Sequence, residues 1–169
     1  MAETTVPYKG TTREGAIFTL DLGSKTGWAL YQADGTITSG TVEFKPGRFE
    51  SSGMALLRFK HWLYEVNSFA SPIEGVWFEA VPPQAHLGGI AGQVYGSFMG
   101  ILTVWAEQNK IPYQGVPVGT IKKHATGKGN ASKEMVIEAM RQKGHQPCDD
   151  NAADALAILH LVLDKEVKP

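Results

Sequence analysis

The chain has 169 residues, of which 43% are hydrophobic and 20% are charged, and its formal net charge is −1. That length fits one domain able to bury roughly 70% of its unfolded surface, and the near-neutral charge excludes nucleic-acid binding by overall positive charge, so any such contact requires locally concentrated lysines. Because Cys148 is the single cysteine and no signal peptide or apolar run of ~20 residues is present, we expect a cytoplasmic protein, of a cell or of a virus replicating in one, without an internal disulfide or a membrane partner.

The first strands are the clearest local signals. Residues 1–14 are polar and are expected to form a flexible tail, followed by a single domain over residues 15–165. The run "AIFTLDLG" is apolar and β-branched and ends in an aspartate and a glycine, which predicts a buried strand. Two further strand-like runs, "TGWALYQ" and "TITSGTVEF", flank Asp34-Gly35, a typical hairpin turn. Three antiparallel strands are therefore predicted.

Helices and strands alternate in the rest of the chain. The apolar spacing predicts helices and strands in this order: a helix over 51–70, a strand over 73–81, a small-residue helix over 89–109, a strand around "YQGVPV", and helices over 119–124, 132–143 and from about 149. Strands that are first antiparallel and then separated by helices are typical of an α/β domain with a mixed sheet.

Two carboxylates stand at predicted strand ends. Asp21 ends the first strand, in "FTLDLG", and Glu79 ends the fourth, in "VWFEAVPP". Ligands of open α/β sheets bind where strands end and loops diverge. A strand can also simply end in a polar residue, so each position alone has a plain structural explanation. Together with the acidic start of the last helix they indicate a site.

The last helix begins with "QPCDDNAADALAILH". Asp149 is predicted to be its N-cap, and the helix dipole also explains an acidic Asp150. Neither explains Asp154, which lies beyond the first turn among alanines that allow the helix to approach the sheet. Asp150 and Asn151 are both candidates to converge with Asp154, because residues three and four apart share a helix face.

Several carboxylates brought together repel one another and therefore require a cation. The chain has no histidine–cysteine cluster at zinc-ligand spacing, and hard oxygen ligands favour Mg²⁺, with Mn²⁺ as a substitute. Two such ions roughly 4 Å apart are the arrangement used for phosphodiester displacement. The pattern thus predicts a site for two ions.

Four stretches resemble, in order and spacing, the RuvC-type Holliday-junction resolvases of the ribonuclease H-like superfamily: "LDLGSKTGWAL", "WFEAV", "VGTIKKHATGKGNASKEMV" and "DDNAADALAILH". The resemblance covers most of the chain, from about Ile17 to His160. It implies a ribonuclease H-like fold, with a five-stranded mixed sheet and helices on both faces. It also implies a homodimer that makes paired, magnesium-dependent nicks in four-way DNA junctions.

The resemblance assigns roles residue by residue. Asp21 and Glu79 match the first and second catalytic carboxylates and Asp154 matches the last. The position three before the last aspartate, usually acidic in bacterial members, is Asn151 here, so Asp150 is favoured as the fourth ligand and Asn151 is its alternate. The loop "AVPPQAHLGG" lacks the aromatic that bacterial members use against bases, which leaves His86 as the nearest stacking candidate. These departures and the short chain resemble phage-encoded members.

The strongest cationic segment is "IKKHATGKGNASKE". Its candidate DNA-binding lysines are Lys122, Lys123, Lys128 and Lys133. Lys128 lies between glycines, where backbone N–H groups could grip a phosphate. Lys122 and Lys133 match family lysines that contact DNA or stabilise transition-state charge, and Lys133 is a catalytic candidate. A solvated surface is the alternative. No P-loop pattern is present, so no nucleotide cofactor is expected.

A ridge of glycines four apart, Gly92, Gly96 and Gly100, runs along the small-residue helix. It allows close packing either against the sheet or against a twin helix in a homodimer.

The leading hypothesis is a Mg²⁺-dependent endonuclease of four-way junctions or other branched DNA that leaves 5′-phosphate and 3′-OH ends. In this hypothesis one ion, at Asp21 and the acidic helix, activates water, and a second, near Asp21 and Glu79, stabilises the leaving oxygen. A non-catalytic branched-DNA-binding module is the first alternative, with Asn151 marking a decayed site. The second alternative is an actin-like ATPase or sugar-kinase domain, because "LDLGSKTGWAL" also resembles the first phosphate loop of those proteins.

Overall fold

One mixed sheet organises the fold, in the strand order β1-β4-β3-β2-β5-β6. The computed structural model describes residues 4–10, 13–70, 72–82 and 89–165. The strands are β1 (Thr4–Pro7), β2 (Ala16–Asp21), β3 (Lys25–Tyr31), β4 (Thr36–Glu43), β5 (Ile73–Ala80) and β6 (Tyr113–Pro117). The helices are α1 (Gly53–Phe69), α2 (Ile90–Asn109), α3 (Val118–Thr126), α4 (Lys133–Gln142) and α5 (Asp150–Lys165). Within these ranges, no helix combines the length and apolarity needed to cross a membrane.

The sheet has six strands, so the prediction of five was wrong. The additional strand, β1, lies in the segment expected to be a tail and pairs antiparallel with β4, with Val6 opposite Ile37. "TTVP" is too short and too polar to show strand periodicity. It becomes a strand because the unpaired edge of β4 supplies backbone hydrogen-bond partners. The other strands have the predicted arrangement: β2, β3 and β4 are antiparallel, and β5 and β6 continue parallel to β2.

Helices cover both faces of the sheet, as predicted. Alternate residues of β2 point to opposite faces, so Phe18 joins the core formed with α1 and α2, and Ile17 joins the core formed with α3, α4 and α5. Helix α5 is buried along almost its whole length and packs across β2 and β3. Strands that carry apolar residues on both faces therefore hold α5 rigidly beside the strand ends.

Close contacts set the position of α5 on the sheet. The Thr19 hydroxyl donates a hydrogen bond of 2.8 Å to the carbonyl of Ala155, which links the strand that carries Asp21 to the helix. At Gly27 on β3, an added Cβ would lie 1.9 Å from the carbonyl oxygen of Asn151. Only a glycine allows the first turn of α5 to approach β3 this closely.

A buried histidine pair joins the segment after α4 to α5. The Nε2 atoms of His145 and His160 lie 2.7 Å apart, so one ring donates and the other accepts a hydrogen bond. Burial, with the nearby Lys143 and His145, lowers the pKa of His160 to about 3, and burial also lowers the pKa of His145. Both rings are therefore neutral in the folded protein at neutral pH.

The pair predicts a loss of stability in acid. The pKa of His160 is lower in the folded state, about 3, than in the unfolded state, about 6.5, so the unfolded state takes up the proton more readily. Stability is therefore fully retained above pH 6.5 and is lost as the pH falls from 6.5 toward 3. The slope is at most about 1.4 kcal/mol per pH unit for each proton taken up. Urea titrations from neutral pH to pH 4 are expected to show a flatter dependence for His160→Gln than for the wild type. A surface control, His61→Gln on α1, should retain the wild-type slope, and equal slopes in all three proteins would contradict the assignment.

Candidate functional site

Asp21 and Glu79 lie side by side at the carboxyl ends of two neighbouring strands. β2 and β5 are parallel, and Leu20 pairs with Phe78 in the last register position before the two carboxylates. The end of β5 is held by Tyr95 of α2, whose hydroxyl donates to the carbonyl of Glu79 (2.9 Å). Two strand ends and one helix therefore place both acids at one edge of the sheet.

The carboxylates are close enough to interact strongly. Burial, together with the neighbouring Glu79, Asp154 and Asp150, raises the pKa of Asp21 to about 8. Burial raises the pKa of Asp154 to about 6, and burial followed by the charge of Asp154 raises the pKa of Glu79. The structure therefore brings Asp21, Glu79 and Asp154 together from two strands and a helix, and their mutual repulsion disfavours full ionisation.

Two lysines flank this acidic cluster. The Lys133 ammonium, at the start of α4, contacts the carboxylate of Asp150 directly, and this contact lowers the pKa of Asp150. Lys133 also partly offsets the rise in the pKa of Asp21, and Lys122 of α3 partly offsets the rises in the pKa values of Glu79 and Asp154. Both lysines act on Asp154, while Lys133 alone acts on Asp150 and Asp21 and Lys122 alone acts on Glu79.

Asp149 is the cap of α5, as predicted. Its Oδ1 atom accepts hydrogen bonds from the backbone N–H of Ala152 (2.9 Å) and from the hydroxyl of Thr41 on β4 (2.6 Å). The carboxylate therefore satisfies one free donor of the first helical turn and also ties the helix start to the sheet.

Asp150 and Asn151 both reach the same open cleft. This cleft, of about 610 Å³, is lined by Asp21 together with Asp150, Asn151 and Lys133. The choice between the two as partner of Asp154 therefore stays a prediction in favour of Asp150, whose carboxylate is half-buried and already pairs with a cation.

The predicted DNA-binding residues separate in space. Lys122 and Lys133 lie at the acidic cluster. Lys123 lines a different depression together with His124, and Lys128 is exposed in the turn between α3 and α4. His86 lies outside the described residues.

Three residues of the site have no signal in the sequence. Tyr95 lines the acidic cleft and supports Glu79, while Lys25 and Lys45 line the same cleft from the ends of β3 and β4. The tyrosine lies in a helix whose other aromatics, Phe98 and Trp105, are core residues, so its sequence position suggests core packing, and the two lysines are isolated cations beside strands. Only the pairing of β3 with β4, which places Lys25 opposite Glu43, brings these side chains to the cleft.

The chemistry of the donor set fits a hard divalent cation. The cluster offers only oxygen ligands, and two lysines face four carboxylates, so negative charge is in excess. Across the described ranges, however, no group of three or more His, Cys, Asp or Glu side chains is already arranged to hold a metal ion. The donor atoms thus fit such an ion in kind, while one of the carboxylates, that of Asp150, is already paired with Lys133.

The chain was compared with known proteins. No protein-family model matches it, and no curated protein matches it in sequence. Among solved structures, it is similar to that of Thermus thermophilus RuvC, with 21% identity, coverage of 89% of this chain and 96% of that chain, and a TM-score of 0.68. It is also similar to T. thermophilus RuvC in complex with Holliday junction substrate, with 21% identity, coverage of 85% and 90%, and a TM-score of 0.63.

A eukaryotic structure is similar as well. The yeast mitochondrial Holliday junction resolvase Ydc2 shares 13% identity, with coverage of 89% of this chain and 78% of that chain and a TM-score of 0.55. At these identities the similarity is one of backbone architecture. The chain therefore has the fold of RuvC and of Ydc2.

Proposed function

We propose that this protein is a divalent-cation-dependent endonuclease that cleaves branched DNA, four-way junctions included. The observation that carries the proposal is the meeting of Asp21, Glu79 and Asp154 at one edge of the sheet, from two strand ends and a buried helix. The similarity in fold to RuvC, one structure of which contains a Holliday junction substrate, supports the substrate class.

In this proposal the carboxylates hold two Mg²⁺ or Mn²⁺ ions. Asp21, Glu79 and Asp154 are the ligands, with Asp150 favoured over Asn151 as the fourth. When bound, such ions supply an activated water and stabilise charge on the leaving 3′ oxygen, which leaves a 5′ phosphate. To hold such an ion Asp21 would have to be ionised, because a carboxylate ligand must be deprotonated. Lys133 and Lys122 offset the remaining charge and attract the DNA backbone.

The direct test is a nuclease panel. Four-way, flap and linear duplex DNA are incubated with purified protein in Mg²⁺, Mn²⁺ or EDTA, and the ends of the products are mapped. The proposal expects nicks in branched DNA only when a divalent ion is present, with 5′-phosphate ends. Cleavage in EDTA, or equal cleavage of linear duplex, would contradict it.

A non-catalytic branched-DNA-binding module is the second candidate. Asn151 in place of a carboxylate and the direct contact between Lys133 and Asp150 favour it, since a lysine already compensates one of the acids. In the same panel, this candidate expects binding of branched DNA without nicks in any cation.

Lys133 is expected to be needed for cleavage and not for stability. Its ammonium lies near Asp150, Asp21 and Asp154, where it can offset charge that develops on the phosphate. Lys133→Met should slow cleavage by about 10²-fold, the typical effect of removing one electrostatic stabiliser. An exposed ion pair contributes under about 1 kcal/mol, so thermal denaturation should change little. Lys60→Met on α1 is the matched control, and a wild-type rate for Lys133→Met would exclude the role.

We also propose that the active form is a homodimer joined through α2. The helix packs into its own core through Phe98 and Trp105, while a Cβ built on Gly96 or Gly100 would meet no neighbouring atom of the described residues within 4 Å. The open ridge is therefore available to a twin helix. Gly96→Gln is expected to convert a dimer into a monomer in analytical ultracentrifugation, and a monomeric wild type would contradict the proposal.

A further inference from the structure

The loop between β4 and α1 presents one fully exposed aromatic side chain. Phe49 is 94% exposed, and it belongs to neither hydrophobic core. Single exposed apolar residues are common on protein surfaces. Exposure alone therefore assigns no function, and the structure around the ring decides whether it has one.

The loop backbone is held in place without any contribution from Phe49. The Glu50 carboxylate accepts a hydrogen bond of 2.6 Å from the N–H of Gly47 and pairs with Arg58 of α1 at 2.8 Å. Arg58 also donates to the carbonyl of Lys45 at 2.7 Å. Charged groups thus fix the loop on both sides of Phe49 and keep its ring turned to solvent.

A cation lies against the ring. The Arg48 guanidinium carbon is 5.5 Å from the centre of the Phe49 ring, within the range of a cation–π contact. An exposed aromatic ring beside an arginine is the combination that binds single-stranded nucleic acid: the ring stacks on a base and the arginine meets the phosphate or extends the stack. A protein partner would instead bury the ring in a packed pocket of its own surface.

The loop forms the rim of the acidic cleft. Lys45, at its start, lines both the cleft that contains Asp21 and an adjoining apolar cleft of about 330 Å³. Ser24 and Val94 also line both clefts, so the two are continuous. A DNA strand that continued from Asp21 along the adjoining cleft would therefore pass Lys45, Pro46 and Ser52, the residues of the loop that line it.

We propose that Phe49, with Arg48 beside it, is a stacking platform for a base that is unstacked at the branch point of DNA bound at the acidic cleft. This inference rests on the proposed function, because it places the base relative to a phosphate at the carboxylates. The contact would favour branched DNA over linear duplex DNA. In a duplex the bases stack on one another, so no base face is free to stack on the ring. Branched DNA offers one at the branch point.

The test is a thermodynamic cycle between the ring and single bases. Affinities are measured by fluorescence anisotropy in EDTA, so that cleavage plays no part. The ligands are a four-way junction and a series of junctions that carry one abasic site at successive positions around the branch point. Phe49→Ala is expected to bind the intact junction roughly tenfold more weakly, the typical loss when one base–aromatic stack is removed. At one abasic position the wild type should lose a similar factor and Phe49→Ala should lose nothing more, because the two changes remove the same contact.

Two variants serve as controls. Phe49→Trp should retain wild-type affinity, since indole also stacks. Phe69→Ala removes another exposed phenylalanine (61% exposed) at the far end of the 17-residue helix α1, roughly 24 Å from the loop, and should bind as the wild type.

The outcomes separate this inference from the proposed function. If the wild type binds and cleaves junctions and Phe49→Ala does so equally well, the role of Phe49 in stacking is excluded, while the proposed nuclease function is supported. If the losses from Phe49→Ala and from every abasic site simply add, the ring contacts no base there and the platform is again wrong. A change in oligomeric state with unchanged DNA affinity would identify a protein contact instead. A wild type that binds none of the DNA would overturn both.

Discussion

Asp21→Asn is expected to lower the rate of branched-DNA cleavage by at least about 10³-fold, which corresponds to about 4 kcal/mol of transition-state stabilisation. Asp21 is the acid whose pKa is affected by all the others of the cluster, Glu79, Asp154 and Asp150. It is also the residue that the proposed function assigns to both cations. DNA affinity in EDTA should change little or increase, because the variant removes one negative charge from a site that meets phosphates.

The same variant should be more stable than the wild type in metal-free buffer. The pKa of Asp21 rises from 3.8 to about 8 on folding, so the folded state binds the proton more tightly than the unfolded state does. Its contribution therefore destabilises the fold increasingly as the pH rises from about 4 to about 8. Asparagine does not ionise, so the advantage of Asp21→Asn should grow over this range, to roughly 1–4 kcal/mol near neutral pH. Urea unfolding at several pH values measures it.

Asp149→Asn is the matched control for this prediction. Asp149 lies at the start of the same helix, but its carboxylate caps α5 through Ala152, and asparagine caps as well as aspartate does. The control should cleave at nearly the wild-type rate. If Asp149→Asn lost as much activity as Asp21→Asn, Asp149 would be a ligand and the assignment of the helix start would be wrong.

Gly27→Ala is expected to reduce both stability and cleavage, although residue 27 carries no functional group. The new Cβ would lie 1.9 Å from the carbonyl oxygen and 2.2 Å from the carbonyl carbon of Asn151. Both are backbone atoms, so the clash is relieved only if α5 moves away from β3. Such overpacking costs typically 1–3 kcal/mol, and we expect a value near the upper end, about 3 kcal/mol. Asp154 moves with the helix, and a 1 Å displacement of a catalytic group can cost about 10²-fold in rate.

Gly40→Ala separates this effect from a general cost of alanine in the sheet. Gly40 lies on β4, the strand next to β3, and its added Cβ would be 3.2 Å from the indole of Trp28, a side chain. Its cost should be about 1 kcal/mol or less, and its cleavage rate should be close to that of the wild type. Chemical denaturation and single-turnover cleavage measure the two effects. Wild-type stability in Gly27→Ala would show that α5 does not approach β3 as described.

Most of the secondary structure could be predicted from local patterns. The run 16–23 is apolar on both faces because β2 is covered by helices on both sides, and Asp34-Gly35 forms the expected turn, with Gly35 at a φ of 84°. β1 could not be predicted, because its four residues become a strand only by pairing with β4. A strand that depends on a partner 30 residues away leaves no periodic signal of its own.

The candidate site was partly predictable for a related reason. Asp21, Glu79 and Asp154 each interrupt an apolar stretch, where a charge requires an explanation, and the capping role of Asp149 follows from its place before the helix. Tyr95, Lys25 and Lys45 do not place a charge within an apolar stretch, so the sequence around them gives no sign of a site. Their place in the cleft follows from which strands pair and where α2 packs.

The sequence by itself determined the α/β character of this protein, the candidate carboxylates and their preference for a hard cation. The reason is that burial patterns and ligand chemistry are properties of short segments. Only the tertiary structure decided which charges meet. It placed Lys133 on Asp150 and Lys122 beside Glu79 and Asp154, and it separated Lys123 from them. It also left Phe49 exposed in the loop whose first residue, Lys45, lines the cleft. Electrostatic coupling depends on distance and on exclusion of water, and both are set by packing between segments that are far apart in the chain.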